Sequence, residues 1–532
     1  MKAIWTGRGR QRKTSAAALL PAYTREGWVR RHRKLALTLL FGVTFIYAAL
    51  FLLIGRFLMV QFLAPFALLV LLIVWALPDR EAVPDQWLVR LFFLFIGAMM
   101  LWPDYLALTL PGMPWITAAR LIGGPMVLLM LICLSQSSRF RGEMKSLLYI
   151  NPLISKFLLV YVVMSVLSVG ISDKPFESIN LLVVGMVNWV ALFLVALFAF
   201  SRPGNVERFI WLLWFAVLFW CVLGGVEWYY SKVLWANHIP SFLKVEGELI
   251  ERVLAGSARS ATGVYRVQGK YTTPLSLAEF MALATPFILH ITLSARLLIL
   301  RAAAAITLVL MFLIIAATDS RLGVVGFLLS FLFYLLAWGT RRWQQDRASL
   351  LAPAVTLAYP AVFVGFIVST FFVGRLRNMV WGSGGEASSD DARFTQLDMG
   401  MKDILNQPWG YGFGRAAETL GFMGNNEFLT IDNYYLNVAL DLGIIGFIAY
   451  FGMFVVAIVL GSQRVLDVQD ERRQWLVPAT IALTNFITIK SVLSQQEGHS
   501  LAFAILAMAV ALLRAEKPDR VHPPFSQSPA VR

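Results

Sequence analysis

Apolar runs recur along the chain from residue 35 to residue 514, each bounded by charged or turn-forming residues. A run of roughly 18 or more apolar residues spans the hydrocarbon core of a bilayer as one helix. The pattern predicts spans at 35–54, 57–77, 88–105, 120–135, 152–171, 179–200, 209–229, 273–293, 299–317, 322–338, 352–373, 433–460, 476–490 and 499–514. The segment 103–119, PDYLALTLPGMPWITAA, reads as a loop or a re-entrant stretch. The expected fold is all-α, a polytopic transmembrane bundle of about fourteen spans.

Charge turns this pattern into a topology. Only 14% of the 532 residues are charged and 58% are apolar, against roughly a quarter charged in a soluble domain. The formal net charge is +15. With the N-terminus inside, the short inner loops carry Arg139, Arg141, Lys145, Arg202, Arg208, Arg296, Arg341, Arg342, Arg347, Arg464, Arg472 and Arg473. Basic residues on the cytoplasmic side set orientation, so the excess calls for no nucleic-acid partner. Residues 1–34 form an expected basic cytoplasmic arm near anionic lipid headgroups. Residues 35–229 hold N-terminal spans and 273–373 a second set, and 433–514 close the bundle. Two longer loops, 230–272 and 374–432, fall outside, and 515–532 form a polar, disordered cytoplasmic tail. Both long loops are expected to hold short amphipathic helices, one of them within ARFTQLDMGMKDIL. The protein is expected in a bacterial inner membrane with both termini cytoplasmic. Cys133 and Cys221 both fall in apolar spans, and the five histidines show no metal-ligand spacing.

Ionisable residues retained at membrane depth or at its boundary are functional candidates. In TDSR, 318–321, an arginine interrupts two apolar runs at the expected outer face. A guanidinium there matches a phosphate by its planar fork. Arg266 and Lys270 approach the same face in YRVQGK, where Gly269 permits close backbone approach. Arg393 follows the pair Asp390 and Asp391 and supplies a third cation. Asp432 and Asn433 stand at the mouth of a span, and aspartate is also a good helix N-cap. Glu279, Lys490, Glu497 and His499 either line a cavity or pair with one another.

The order and spacing of RVQGKYTTPLSLAEF (266–280), TDSRLGVVGF (318–327), DDARFTQLDMGMKDILNQPWGYGFG (390–414) and DNYYLNVALDLGIIGF (432–447) resemble the O-antigen ligase and O-antigen or exopolysaccharide polymerase superfamily of bacterial inner membranes. The resemblance covers roughly residues 260–450. It implies a cofactor-free, metal-independent inverting glycosyltransferase acting at the outer face. The donor would be a glycan on undecaprenyl pyrophosphate, the product a growing polysaccharide, and a chain-length-regulating copolymerase a usual partner beside the membrane lipids. The family's pyrophosphate-binding arginines map onto Arg266 and Arg321, with Arg393 at the arginine before the G-x-G turn. Asp432 is the first candidate for the base and Glu279 the second. Lys270, Arg415, Asn433 and Tyr434 complete the expected substrate contacts, with Tyr435, Trp409 and Tyr411 as further candidates for stacking on sugar rings. Ligases resembling this chain read His-Asn where Asp432 and Asn433 stand, which favours the polymerase branch. A ligase, a flippase for lipid-linked oligosaccharide and a non-catalytic scaffold are the rivals. Transporters often show repeated halves and midplane charges, whereas the charges here gather at one face.

Overall fold

The computed structural model describes residues 69–77, 82–108, 115–243, 247–258, 263–346, 350–372, 387–424, 428–465 and 474–514, with isolated positions 38, 42 and 374. The expected basic arm, the first span, most of the second and the C-terminal tail lie outside these residues. The chain forms two compact units, one of residues 1–81 with 134–138 and one of 82–133 with 139–532. In the first, residues 69–76 are helical and the Ser135 hydroxyl donates to the Val74 carbonyl at 2.6 Å.

The second unit is a helical bundle. Its first half holds α1 (Asp85–Leu101), α2 (Ala118–Gln136), α3 (Ser138–Leu148), α4 (Pro152–Val169), α5 (Pro175–Gly185), a π-helical turn (Met186–Ala191), α6 (Leu192–Phe200), α7 (Asn205–Tyr230) and α8 (Glu248–Ala255). The second half holds α9 (Pro274–Ser294), α10 (Leu298–Ala317), α11 (Arg321–Gln345), α12 (Leu351–Phe372), α13 (Ala387–Asn406), α14 (Ala416–Leu420), α15 (Tyr434–Val465), α16 (Leu476–Lys490) and α17 (His499–Leu512). Each span expected from residue 88 onward coincides with a helix. Among the described residues, eight helical segments are long and apolar enough to cross a membrane, α5 to α6 counting as one of 26 residues. The apolar stretches of α12, α16 and α17 are shorter.

Three expectations need correction. Residues 135–151, read as an inner loop, contain amphipathic α3, which buries Phe140, Met144 and Leu147 while Arg139 and Lys145 stay exposed. Residues 103–119 include a two-residue antiparallel ladder pairing Ala107–Leu108 (β1) with Ile116–Thr117 (β2). The third correction is α15, read from hydropathy as one continuous span. Gly443 has φ +70° and ψ −177°, which breaks the helix into two. A second pair of short strands, Ser257–Ala258 (β3) and Tyr265–Arg266 (β4), closes the first long loop.

The break in α15 is repaired by a loop. Backbone groups freed inside a membrane bundle need partners. The Tyr411 N–H donates to the Leu440 carbonyl at 2.7 Å, Gly412 N–H to Asp441 at 3.1 Å, and Ile444 N–H to Pro408 at 3.0 Å. Gly410 and Gly412 have φ of +92° and +119°, a region that favours glycine. A Cβ on Gly410 would strike the Asp441 carbonyl oxygen, and one on Gly412 would strike Ser172. The Asp441 carboxylate, at depth, accepts from the Arg415 and Ala416 N–H groups at 2.8 and 2.7 Å. It thereby satisfies the first N–H groups of α14.

Helix α9 lies inside the bundle, with 17 of its 21 residues buried. It packs against α10, α11 and α16. Small residues permit this closeness: a Cβ on Gly323 or Gly326 of α11 would meet Ala278 or Ala282 of α9. The Asn485 amide on α16 donates to the Ala282 and Gly326 carbonyls and to the Ser330 hydroxyl, at 3.2, 3.1 and 2.8 Å. Helix α15 packs along α4, with Tyr161 and Tyr450 rings 5.3 Å apart.

Candidate active site

The first residues of α9, α11, α15 and α17 and the last of α7, α10 and α16 meet at one end of the bundle. Backbone and side-chain bonds join them: Val267 N–H to the Ala317 carbonyl (3.1 Å), Thr272 N–H to Glu497 (3.0 Å), and the Tyr435 hydroxyl to the Ile487 carbonyl (2.7 Å). Arg266, Lys270, Glu279, Arg321, Asp432, Lys490 and Glu497 lie on or beside these ends.

Each residue of TDSR has a local task. The Thr318 hydroxyl donates to the Ile315 carbonyl at 2.6 Å and closes α10. Asp319 takes φ +49°, a left-handed conformation that aspartate tolerates better than most side chains. The Ser320 hydroxyl caps α11 by accepting from Gly323 N–H. Arg321 is then the first residue of α11. A cation at a helix N-terminus opposes the helix dipole. Arg266, on β4, donates from Nε to the Thr318 carbonyl at 2.9 Å and from an Nη to the Asp319 carbonyl at 3.4 Å. The structure therefore brings Arg266 onto the turn that presents Arg321.

What holds Arg266 there is Glu227, a residue the sequence did not single out. It lies near the end of α7, 1% exposed. Its carboxylate accepts from the Tyr265 hydroxyl (2.8 Å) and from the Gln268 and Gly269 N–H groups (2.9 Å each). Gly269, at φ +58°, packs against Trp220 where a Cβ would crowd the indole. We expect Glu227→Ala to strand two buried N–H groups at about 1–3 kcal/mol each and to displace Arg266. Tyr265→Phe, which removes one of the three donors and leaves the backbone bonds, should be milder. Thermal denaturation in detergent alongside glycan synthesis in cells checks the order.

Glu279 and Lys490 form a buried ion pair at 2.9–3.0 Å, both side chains fully inaccessible. The Lys490 ammonium also donates to the Gln495 carbonyl and sits 5.6 Å from the Tyr434 ring centroid. Pairing, foreseen as one account of these residues, is what the structure has. It ties up the carboxylate considered as a second candidate base. Lys270 is also buried, 2% exposed. It faces Glu497, whose carboxyl is pushed up by burial. The Lys270 charge, the Ser276 hydroxyl and the Thr272 N–H oppose that shift.

Asp432 and Asn433 divide their tasks differently from expectation. The Asn433 side chain caps α15 by accepting from Tyr435 N–H at 2.9 Å and Leu436 N–H at 3.4 Å. Asp432 is therefore not the cap, and Asn433 is occupied by the helix. The Asp432 backbone N–H donates to Gln396 of α13 at 2.9 Å. Burial pushes the Asp432 carboxyl above the usual carboxylate range, and the Arg393 guanidinium on α13 works against this. Asp390 and Asp391, before Arg393, lie within α13.

Two expected substrate contacts are otherwise engaged. Tyr434 is 3% exposed and packs against Tyr450 and His499, the latter ring centroid 4.5 Å away. Arg415, 5% exposed, pairs with Glu177 at 2.6 Å and with Glu418. It holds the glycine loop to α5. Trp409 stands 64% exposed, and Tyr411 is fixed by its hydroxyl bond to the Asp403 carbonyl at 3.0 Å.

No curated protein matches the chain. A family model described as O-antigen ligase matches residues 306–451. The match takes in Arg321, Arg393, Arg415 and the Asp432–Tyr434 segment, while Arg266, Lys270 and Glu279 precede it. With its series of apolar helices, the chain is a multi-pass membrane protein in which residues 306–451 are similar to the O-antigen ligase family.

Proposed function

We propose that the protein is a polymerase of a bacterial surface polysaccharide, joining undecaprenyl-pyrophosphate-linked repeat units at the periplasmic face of the inner membrane. The observation that carries this reading is the docking of Arg266 on the turn that begins α11 with Arg321. Arg266 and Arg321 thus share one turn beside the N-terminus of α11, a set of groups suited to an anionic pyrophosphate. In the reaction the acceptor hydroxyl oxygen bonds to the anomeric carbon of the donor. The bond from that carbon to the pyrophosphate oxygen breaks, and its electron pair leaves with the pyrophosphate. Cations placed in advance at the departing oxygen stabilise that charge. The Asp432 carboxylate takes the hydroxyl proton; it is half-buried and free of the capping duty that Asn433 performs.

Asp432→Asn should therefore lower turnover by about 10²–10⁴, the usual worth of a positioned base, while the membrane protein level stays unchanged. The base works deprotonated, so activity should fall as pH drops through its carboxyl. Arg393 stabilises the deprotonated form. Arg393→Gln should thus move the acid limb of the rate profile to higher pH. An unmoved limb assigns the titration to another group.

A ligase is the second reading, favoured by the description of the matched family. The glycan profile of a deletion strain, complemented with the native chain or with Arg321→Ala, separates the two. Accumulation of single lipid-linked repeat units with no polymer supports the polymerase. Accumulation of full-length lipid-linked polymer, unattached to its acceptor, overturns it in favour of the ligase.

A further inference from the structure

Helix α13 divides into three sectors when its residues are placed at 3.6 per turn. One sector faces the protein: Gln396 and Ile404 are buried, and Gly400 lies so close to Leu436 of α15 that a Cβ would collide with it. A second sector is charged and exposed, with Asp391, Asp398 and Lys402, the last two paired at 2.6 Å. Between them runs a stripe of large apolar side chains without cover: Phe394, Leu397, Met401 and Leu405, exposed by 73, 44, 46 and 74%. A water-facing helix has no use for that third sector, and the segment is too polar to cross a membrane.

The stripe leads to the bilayer-facing side of α15. After α13 the chain reaches Pro408, whose carbonyl accepts from Ile444 N–H, and exposed Trp409. Ile444, Ile445 and Ile448 of α15 are exposed by 43–53%, as lipid-facing residues of a span are. Tryptophan is enriched where apolar surface meets the headgroups.

We infer that α13 is an interfacial helix, lying along the bilayer surface with Phe394, Leu397, Met401 and Leu405 seated in lipid and its charged sector in water. Helices of this kind bury their apolar face roughly 5–10 Å into the headgroup and acyl boundary. Seating α13 there sets Arg393 and Gln396, and through Gln396 the Asp432 backbone, at the depth of lipid phosphates.

The test uses the full-length chain in phosphatidylethanolamine and phosphatidylglycerol vesicles. Single cysteines are placed at Met401→Cys and Leu405→Cys in the stripe and at Asp398→Cys and Lys402→Cys in the charged sector. The native Cys133 and Cys221 are buried. Each position is labelled with an environment-sensitive fluorophore, then challenged with nitroxide-bearing lipid and with aqueous iodide. Lipid nitroxide should quench positions 401 and 405 several-fold more than 398 and 402, and iodide should do the reverse. Equal access of iodide to all four positions overturns the inference. Shielding of 401 and 405 from both quenchers overturns it too, and assigns the stripe to a protein partner or a second copy of the chain.

Discussion

Lys490→Met should cost about 3–5 kcal/mol, the usual effect of removing one partner of a buried ion pair. The Glu279 carboxylate would be left charged with no cation in contact, in a helix most of whose residues are buried. The Gln495 carbonyl would lose its donor as well. We expect a sharp fall in monodisperse protein after detergent extraction and a lower midpoint in thermal aggregation. Glu279→Gln should be less severe, because the amide still accepts a hydrogen bond from the ammonium. The double variant Glu279→Leu with Lys490→Met should recover much of the loss, since a buried pair replaced by apolar residues is often near neutral. It also separates stability from chemistry. If it folds and still makes polymer, Glu279 is structural and Asp432 stands alone as the base. If it folds and is inactive, Glu279 takes part.

Arg321→Ala should lower turnover by about 10²–10³, the typical effect of deleting one preorganised donor at a developing anion. Arg266→Ala should do the same and additionally loosen the 318–321 turn, whose Thr318 and Asp319 carbonyls it holds. Lysine substitutions at either position should rescue only partly, because an ammonium lacks the planar fork. The double alanine variant should lose less than the product of the single effects, as residues acting on one group do. The readout is the pool of lipid-linked repeat units in cells, with membrane level measured in parallel. Full-length polymer from Arg321→Ala at normal level would remove the pyrophosphate role.

Much of the bundle was legible because the hydrophobic effect writes it in runs. The span 476–490 was read at its observed bounds, with Lys490 closing the last turn. Pairing among Glu279, Lys490, Glu497 and His499 is one of two expectations that the cost of charge in lipid supports, and the structure joins Lys490 to Glu279. The break at Gly443 was harder to see. Its signals, Asp441 at depth and a following glycine, sit in a run apolar enough to read as continuous. Its repair depends on a loop about thirty residues earlier, whose bonds are backbone and leave no side-chain trace beyond the glycines. The choice of cap between Asp432 and Asn433 was closed to sequence reasoning, since both residue types cap well and a shift of one position decides. Glu227 was hidden for another reason. One carboxylate near the end of a long apolar span carries no motif, and its partners at 265–269 lie across a loop whose path the sequence does not state.

The broken helix also bears on how the protein is made. Backbone groups on both sides of the break in α15 bond to residues 408–412. A ribosome produces that loop before it produces α15. The loop is thus already available when the interrupted helix reaches the membrane, and the open carbonyls of Leu440 and Asp441 need not wait for a partner still to be translated. A circular permutation placing 408–412 after α15 would reverse that order without changing a single native contact, and would load the cost onto insertion.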